Sequence, residues 1–323
     1  MDISSFGKYE VRGAKAAAAL DRVLAGLLPS VGRIRLTPML SPSGRLMGDL
    51  TTARLSEDRF LVFGSGYLQT WHMRWFQRHL PSDDVSVRNV SDELVGLAIF
   101  GPRSRELLSR LTGQDIGNNA FPFMSVKTLD VGLVPAVIGR LSVTGELGYE
   151  IYVDSAYLWS LYEALHGAGE DLGLRDVGMY ALNSLRLEKG YGIWSREFSQ
   201  DYTPAMSGMS RFIAYDKEDF IGRDAALRDH KEVPSKRLAL LEIAAEDADA
   251  AGYEPIWRGR KMVGFVTSGG YGHSVGKSLA MGYLDTELID ADVPLEMSIV
   301  GERRSCRVLR DPAVDPRGLK VRL

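Results

Sequence analysis

Residues 140–153, RLSVTGELGYEIYV, put a carboxylate where a carboxylate is expensive. Two short strand-like runs flank the turn Thr144-Gly145-Glu146-Leu147-Gly148, and Glu150 stands inside the second run, between Tyr149 and Ile151. Glycines at such a turn supply dihedrals that other residues avoid, or let a ligand come close. An acid inside an apolar-aromatic strand is costly to bury unless something pairs with it. Any fold of this chain must therefore give Glu150 either solvent or a partner. An outward-facing strand carboxylate is one answer. The other is an acceptor for paired N–H donors on a flat heterocycle, because a carboxylate accepts two bonds side by side and donates none. Tyr149, Tyr152, Tyr180, Tyr191 and Trp194 lie near enough in sequence to sandwich such a ring, although several belong in a core.

Composition narrows the classes. At 323 residues, 45% hydrophobic and 25% charged, the chain is ordinary globular material with room for two or three domains. A formal net charge of −3 offers no basic excess for nucleic acid or an anionic membrane surface. The lone cysteine, Cys306, excludes a disulfide framework and reads as an inert core thiol. The histidines show no HExxH pattern, so no metal site is expected. No run of 18 apolar residues is present, and the N-terminus lacks a basic-then-apolar signal, so the expectation is a soluble, reduced, cytoplasmic protein.

In order, the chain opens on a strand at 6–12, followed by a helix at 14–27 that stops before Pro29. Strands are expected at 34–40 and 46–55, joined by the turn Ser41-Pro42-Ser43-Gly44, and at 59–64. An aromatic-rich helix covers 67–79. Strands at 85–89 and 94–100 precede a helix at 103–111, with Pro102 at its start. Strands at 123–129 and 134–141 lead into the Glu150 run, and helices follow at 155–167 and 176–190. The polar segment 232–236 marks a boundary between a 1–231 domain and a 237–323 domain. Beyond it, six short strands without a long helix predict a small β-barrel.

Few other residues attract chemistry. Gly272 to Ser278 contains Gly-Lys-Ser but is one residue short of a phosphate loop and precedes a strand, so it reads as a hairpin reaching toward the other domain. Asp49, after the 41–44 turn, reads as a solvated turn-side acid, and Arg186 and Glu188 as ion-paired or solvent-facing helix residues.

Several segments, in this order and spacing, resemble one family. They are Phe6-Gly7-Lys8-Tyr9; Phe60-Leu61-Val62 with Gly64-Ser65 and Arg74-Trp75; Thr144-Gly145-Glu146-Leu147-Gly148-Tyr149-Glu150; and the helix from Tyr180 to Lys189. Asp219-Phe220-Ile221-Gly222-Arg223 and Thr267-Ser268-Gly269-Gly270-Tyr271 complete the set. Nearly the whole chain is similar to the aminomethyltransferase family of the glycine-cleavage T-protein, and more closely to the folate domain at the C-terminal end of dimethylglycine and sarcosine dehydrogenases.

The resemblance implies an α+β fold of three subdomains around a central opening that binds tetrahydrofolate, with a C-terminal β-barrel. It implies that Glu150 holds the pterin ring and that Tyr191 and Trp194 line its pocket, with Tyr180 and Tyr271 as further cofactor-binding aromatics. The implied reaction moves a one-carbon unit from a methylated amine, or its iminium made by a flavin-dependent dehydrogenase subunit, to tetrahydrofolate, giving 5,10-methylenetetrahydrofolate. The family's early-helix Asp aligns with His72, which becomes the candidate catalytic group: a histidine can relay a proton but provides no fixed negative charge. Val143, Leu182 and Met206 also depart from the T-protein pattern. No GxGxxG fingerprint is present, so flavin binding by this chain is not expected. Folate-dependent demethylation of a sulfonium or methoxy compound, and a non-catalytic folate-binding module, stand as alternatives.

Overall fold

The computed structural model describes residues 1–81, 83–291 and 293–323. Its first unit is built on β1 (Gly7–Arg12), α1 (Ala16–Val23), β2 (Ile34–Leu36), β3 (Met39–Leu40), β4 (Leu46–Gly48), β5 (Thr51–Ser56), β6 (Arg59–Gly64), α2 (Gln69–His79) and β7 (Ser86–Asn89). Five of the strands form an antiparallel sheet ordered β2-β5-β6-β1-β7, and β3-β4 is a separate hairpin. Strand alternation gives this sheet two apolar faces. Tyr9, Val11, Phe60 and Val62 pack beneath the helices, against Leu20, Val23 and Phe76. Ala53, Leu61 and Phe63 point the other way.

The second unit comprises β8 (Leu94–Phe100), α3 (Ser104–Leu111), β9 (Ser125–Val131), β10 (Val134–Arg140), β11 (Gly148–Asp154) and α4 (Leu158–Gly169). Its antiparallel sheet is ordered β8-β11-β10-β9. Here too one face, with Tyr149, Ile151, Val153, Ile99 and Ile138, is covered by α3 and α4 through Leu107, Leu108, Leu161 and Leu165. The uncovered faces of the two sheets meet. Leu61, Ala53 and Phe63 of the first join Val126, Val137 and Leu94 of the second in one cluster.

A connecting region holds α5 (Met179–Glu188), α6 (Pro204–Ser207) and α7 (Arg223–Lys231). Strands β12 (Lys236–Ile243), β13 (Pro255–Arg258), β14 (Lys261–Gly272), β15 (Lys277–Asp285), β16 (Leu295–Ile299) and β17 (Glu302–Leu309) then close into a six-stranded barrel ordered β12-β15-β14-β13-β16-β17. The expected α+β body with a C-terminal barrel is therefore the observed architecture. Among the described residues, no helix is long and apolar enough to cross a membrane.

Several elements differ from their sequence expectations, among them the strand expected at 46–55, which is two strands, β4 and β5. The first helix stops at Val23 rather than continuing to 27, because Leu24 turns extended and bridges Met39 while Ala25 N–H donates to the Pro38 carbonyl. The strand expected at 34–40 splits into β2 and β3 around Pro38, which has no N–H to give a ladder. The β14–β15 hairpin, by contrast, extends past the barrel. Ser184 Oγ donates to the Tyr271 carbonyl at 2.7 Å, and Ser274 N–H donates to Glu188 Oε1 at 2.6 Å, so its tip lies on α5.

Candidate functional site

Glu150 sits on β11, an inner strand, with its side chain on the face that meets the first sheet. Its Cα partners are Ala98 on β8 and Gly139 on β10, and Gly148 precedes it on the same face. Opposed residues of an antiparallel pair share a face. Three of the positions around this carboxylate thus carry almost no side chain. The fourth is Tyr152, whose hydroxyl donates to Glu150 Oε2 at 2.7 Å. Glu150 is enclosed by protein yet keeps partial solvent access. That enclosure raises its pKa, and the Tyr152 bond only partly opposes the shift.

A second carboxylate shares these properties. Asp49 follows β4, is half-buried, and is pushed up to about 6 by enclosure, with only its own backbone N–H pulling the other way. The sequence reading took it for a solvated turn acid; the fold encloses it instead, because residues 46–50 run inward between the β3–β4 hairpin and β5. Asp49 lies two residues before Thr51, which is paired with Phe63. The Phe63 ring packs on Tyr152 at 4.7 Å between centroids. That ring contact joins the two sheets, and Glu150 is bonded to one of its members. No local pattern distinguishes Asp49 from a surface acid; the fold alone does so.

His72 lies elsewhere in the hydrogen-bond scheme. It is fully buried on α2, with Tyr9 Oη 3.1 Å from Nδ1 and the Met47 carbonyl 3.2 Å from Nε2. Burial lowers its pKa to about 4. A carbonyl only accepts, so Nε2 carries the proton, Nδ1 accepts from the tyrosine, and the ring is neutral. Both nitrogens are occupied by protein groups.

The aromatic candidates are scattered. Tyr191 follows α5 and is half-buried; its N–H donates to the Arg186 carbonyl at 2.9 Å, and Arg186 Nη1 donates back to the Tyr191 carbonyl at 3.2 Å. Trp194 is buried in a cluster with Leu68, Phe198 and Phe220. Tyr271 is 41% exposed, edge-on to His273. Tyr180, at the start of α5, is 97% exposed.

Arg186 and Glu188 do not face solvent; both are buried. Arg186 Nη1 donates to Glu197 Oε2 at 2.9 Å, and Glu197 Oε1 accepts from Thr267 Oγ1 and Ser268 Oγ, each at 2.6 Å. Every oxygen of this buried carboxylate is therefore paired. The network ties α5 and the 190–198 segment to β14 of the barrel, and so holds the segment that bears Tyr191.

Two apposed sheets with a closed barrel and enclosed carboxylates are the build of an aminomethyltransferase. The crystal structure of glycine cleavage system aminomethyltransferase T from Bartonella henselae superposes with a TM-score of 0.88 at 25% identity, covering 98% of this chain and 86% of that one. Residues 1–217 match the GCVT N-terminal domain, and residues 236–315 match the glycine cleavage T-protein C-terminal barrel domain. The chain belongs to the glycine cleavage T-protein, or aminomethyltransferase, family. It is 34% identical to mitochondrial dimethylglycine dehydrogenase of Mus musculus over all of its length but only 38% of the relative's. It is 28% identical to an aminomethyltransferase of Caldanaerobacter subterraneus, covering 92% of this chain and 80% of that one. A 4-methylaminobutanoate oxidase (formaldehyde-forming) of Paenarthrobacter nicotinovorans is 30% identical over 99% of the chain and 39% of its own length. The chain thus spans under two fifths of these two oxidising relatives.

Proposed function

We propose that this chain binds tetrahydrofolate and passes to it a one-carbon unit from a methylated amine or its iminium, giving 5,10-methylenetetrahydrofolate. The observation that carries this reading is Glu150: an enclosed, partly accessible carboxylate on a floor of Ala98, Gly139 and Gly148. The adjacent N–H donors of a pterin suit a carboxylate acceptor. Such donors would also stabilise the ionised form that enclosure disfavours. Bound folate would supply the amine that accepts the carbon.

This chain's own residues would do the rest. Glu150 holds and orients the ring, and the half-buried Tyr191 and the more exposed Tyr271 are the aromatics left to line it. Asp49, with a pKa of about 6, is matched to taking a proton near neutral pH, and once ionised it favours a cationic donor. Enclosure keeps the reactants together, which supplies much of the rate. The site belongs to the 1–231 body, and the 237–323 barrel is tied to that body through the hairpin tip on α5. The donor amine would arrive from a flavin-dependent dehydrogenase partner, in keeping with the oxidising relatives.

The test is turnover with tetrahydrofolate, dimethylglycine and a dimethylglycine-oxidising flavoenzyme, with methylenetetrahydrofolate as the readout. Product formed faster than from the flavoenzyme and folate alone supports the reading. Failure of the purified chain to bind tetrahydrofolate by calorimetry sinks it.

A further inference from the structure

His72 is fully buried, yet it touches the two residues directly before Asp49. Its Nε2–H donates to the Met47 carbonyl at 3.2 Å. A Cβ added at Gly48 would meet His72 Nε2 at 3.0 Å and Leu50 Cγ and Cδ2 at 3.2 Å. The imidazole thus lies against the bare backbone of the residue directly before Asp49. On the far side of the ring, Gly64 is equally bare: a Cβ there would meet Leu50 Cδ2 at 2.6 Å and His72 Cε1 at 3.0 Å. A Cβ at Gly7 would meet the Tyr9 hydroxyl at 2.7 Å. Three glycines therefore make room for one assembly of Tyr9, His72 and Leu50.

That assembly has one orientation. Tyr9 donates to Nδ1 and fixes the tautomer, so the proton faces Met47. Phe76, with its ring 5.3 Å from that of Tyr9, packs the pair from α2. The Leu50 carbonyl is held in turn by the Thr37 N–H and hydroxyl. Residues 47, 48 and 50 are thereby fastened, and Asp49 between them keeps partial solvent access. A catalytic carboxylate must be held within a fraction of an ångström of its working geometry, and such precision comes from groups behind it.

We infer that His72 is a positioning residue, a buried neutral imidazole that, oriented by Tyr9, aims the Asp49 carboxylate through Met47 and Gly48. The inference rests on the role proposed above for Asp49, but its test does not need turnover.

The test follows the Asp49 carboxyl by NMR titration of protein labelled with 13C-aspartate, with Asp49→Asn identifying its resonance. Wild type is expected to titrate near pH 6. His72→Leu, which removes the donor, should move that midpoint by one unit or more, and His72→Gln, which keeps an N–H in reach of Met47, should restore it within half a unit. Tyr9→Phe should give an intermediate shift. Where turnover is measured, His72→Leu should lower kcat at least tenfold with KM for tetrahydrofolate changed less than threefold. An Asp49 midpoint unmoved in folded His72→Leu protein overturns the inference. If His72→Leu does not fold, an unmoved midpoint in Tyr9→Phe, with kcat unchanged, overturns it equally. Loss of the Asp49 proposal looks different: Asp49→Asn would then turn over like wild type while the midpoint still responds to His72.

Discussion

Phe63 and Tyr152 pack ring to ring, 4.7 Å between centroids, across the boundary between the two sheets. Each is linked to one of the enclosed carboxylates: Phe63 through its pairing with Thr51, two residues past Asp49, and Tyr152 through its hydroxyl on Glu150. The contact joins the two sheets, although about ninety residues of sequence separate its two rings.

Glu150→Gln is expected to weaken tetrahydrofolate binding by about 1.5–3 kcal/mol, roughly a 10- to 100-fold rise in Kd, because an acceptor pair becomes one acceptor and one mismatched donor. Calorimetry reads the Kd, and a variant that binds like wild type removes Glu150 from the site. Tyr152→Phe deletes the bond that favours ionised Glu150, so the Glu150 pKa should rise further. The acidic limb of the binding profile should move to higher pH with it.

The Asp49 shift sets a pH dependence in two quantities. Its folded pKa, about 6, lies above the ordinary 3.8, so the folded state binds the proton more tightly than the unfolded state does. Stability from this group is therefore full below pH 3.8 and declines as pH rises through 6; the loss at pH 7 is about 3 kcal/mol. Asp49→Asn should then be more stable than wild type at pH 7 and equal to it near pH 4, while turnover, which needs the ionised acid, falls at least 100-fold. Urea denaturation at the two pH values checks the sign. A less stable Asn variant at pH 7 contradicts it.

Glu197→Ala leaves Arg186 buried without its carboxylate and strands the hydroxyls of Thr267 and Ser268. Breaking a buried pair in this way costs about 3–5 kcal/mol. The 190–198 segment should loosen first, with faster hydrogen exchange at Ile193, whose N–H donates to Glu197 Oε2. Exchange at Ile193 unchanged from wild type would disprove the tie.

Tyr180 and Trp194 divide the aromatic candidates. Tyr180→Ala removes a ring that is 97% exposed and should change stability by less than about 0.5 kcal/mol. A loss of folate affinity in that variant would show that the ring folds onto the ligand. Trp194→Ala empties a core position beside Leu68 and Phe198 and should cost about 3–5 kcal/mol, seen as a fall in Tm.

Much of the architecture was legible in the residues. The strand at 59–64 and the one at 94–100 have their expected bounds, since apolar runs closed by glycine or by Gly-Pro leave little choice. Six short strands after residue 236 do close into a barrel. The run around Glu150 raised the choice between solvent and a partner, because the cost of burying a carboxylate is a local fact. What sequence could not reach was which acids the fold encloses. Asp49 looks like any polar residue after a turn, and His72 like any helix histidine. The environment of His72 is set by Tyr9, 63 residues earlier in the chain, and by three glycines that admit the Tyr9–His72 pair. Enclosure, and the pKa shifts it brings, belong to the packing of one sheet on another. That packing is a property of the tertiary structure, and no window of neighbouring residues contains it.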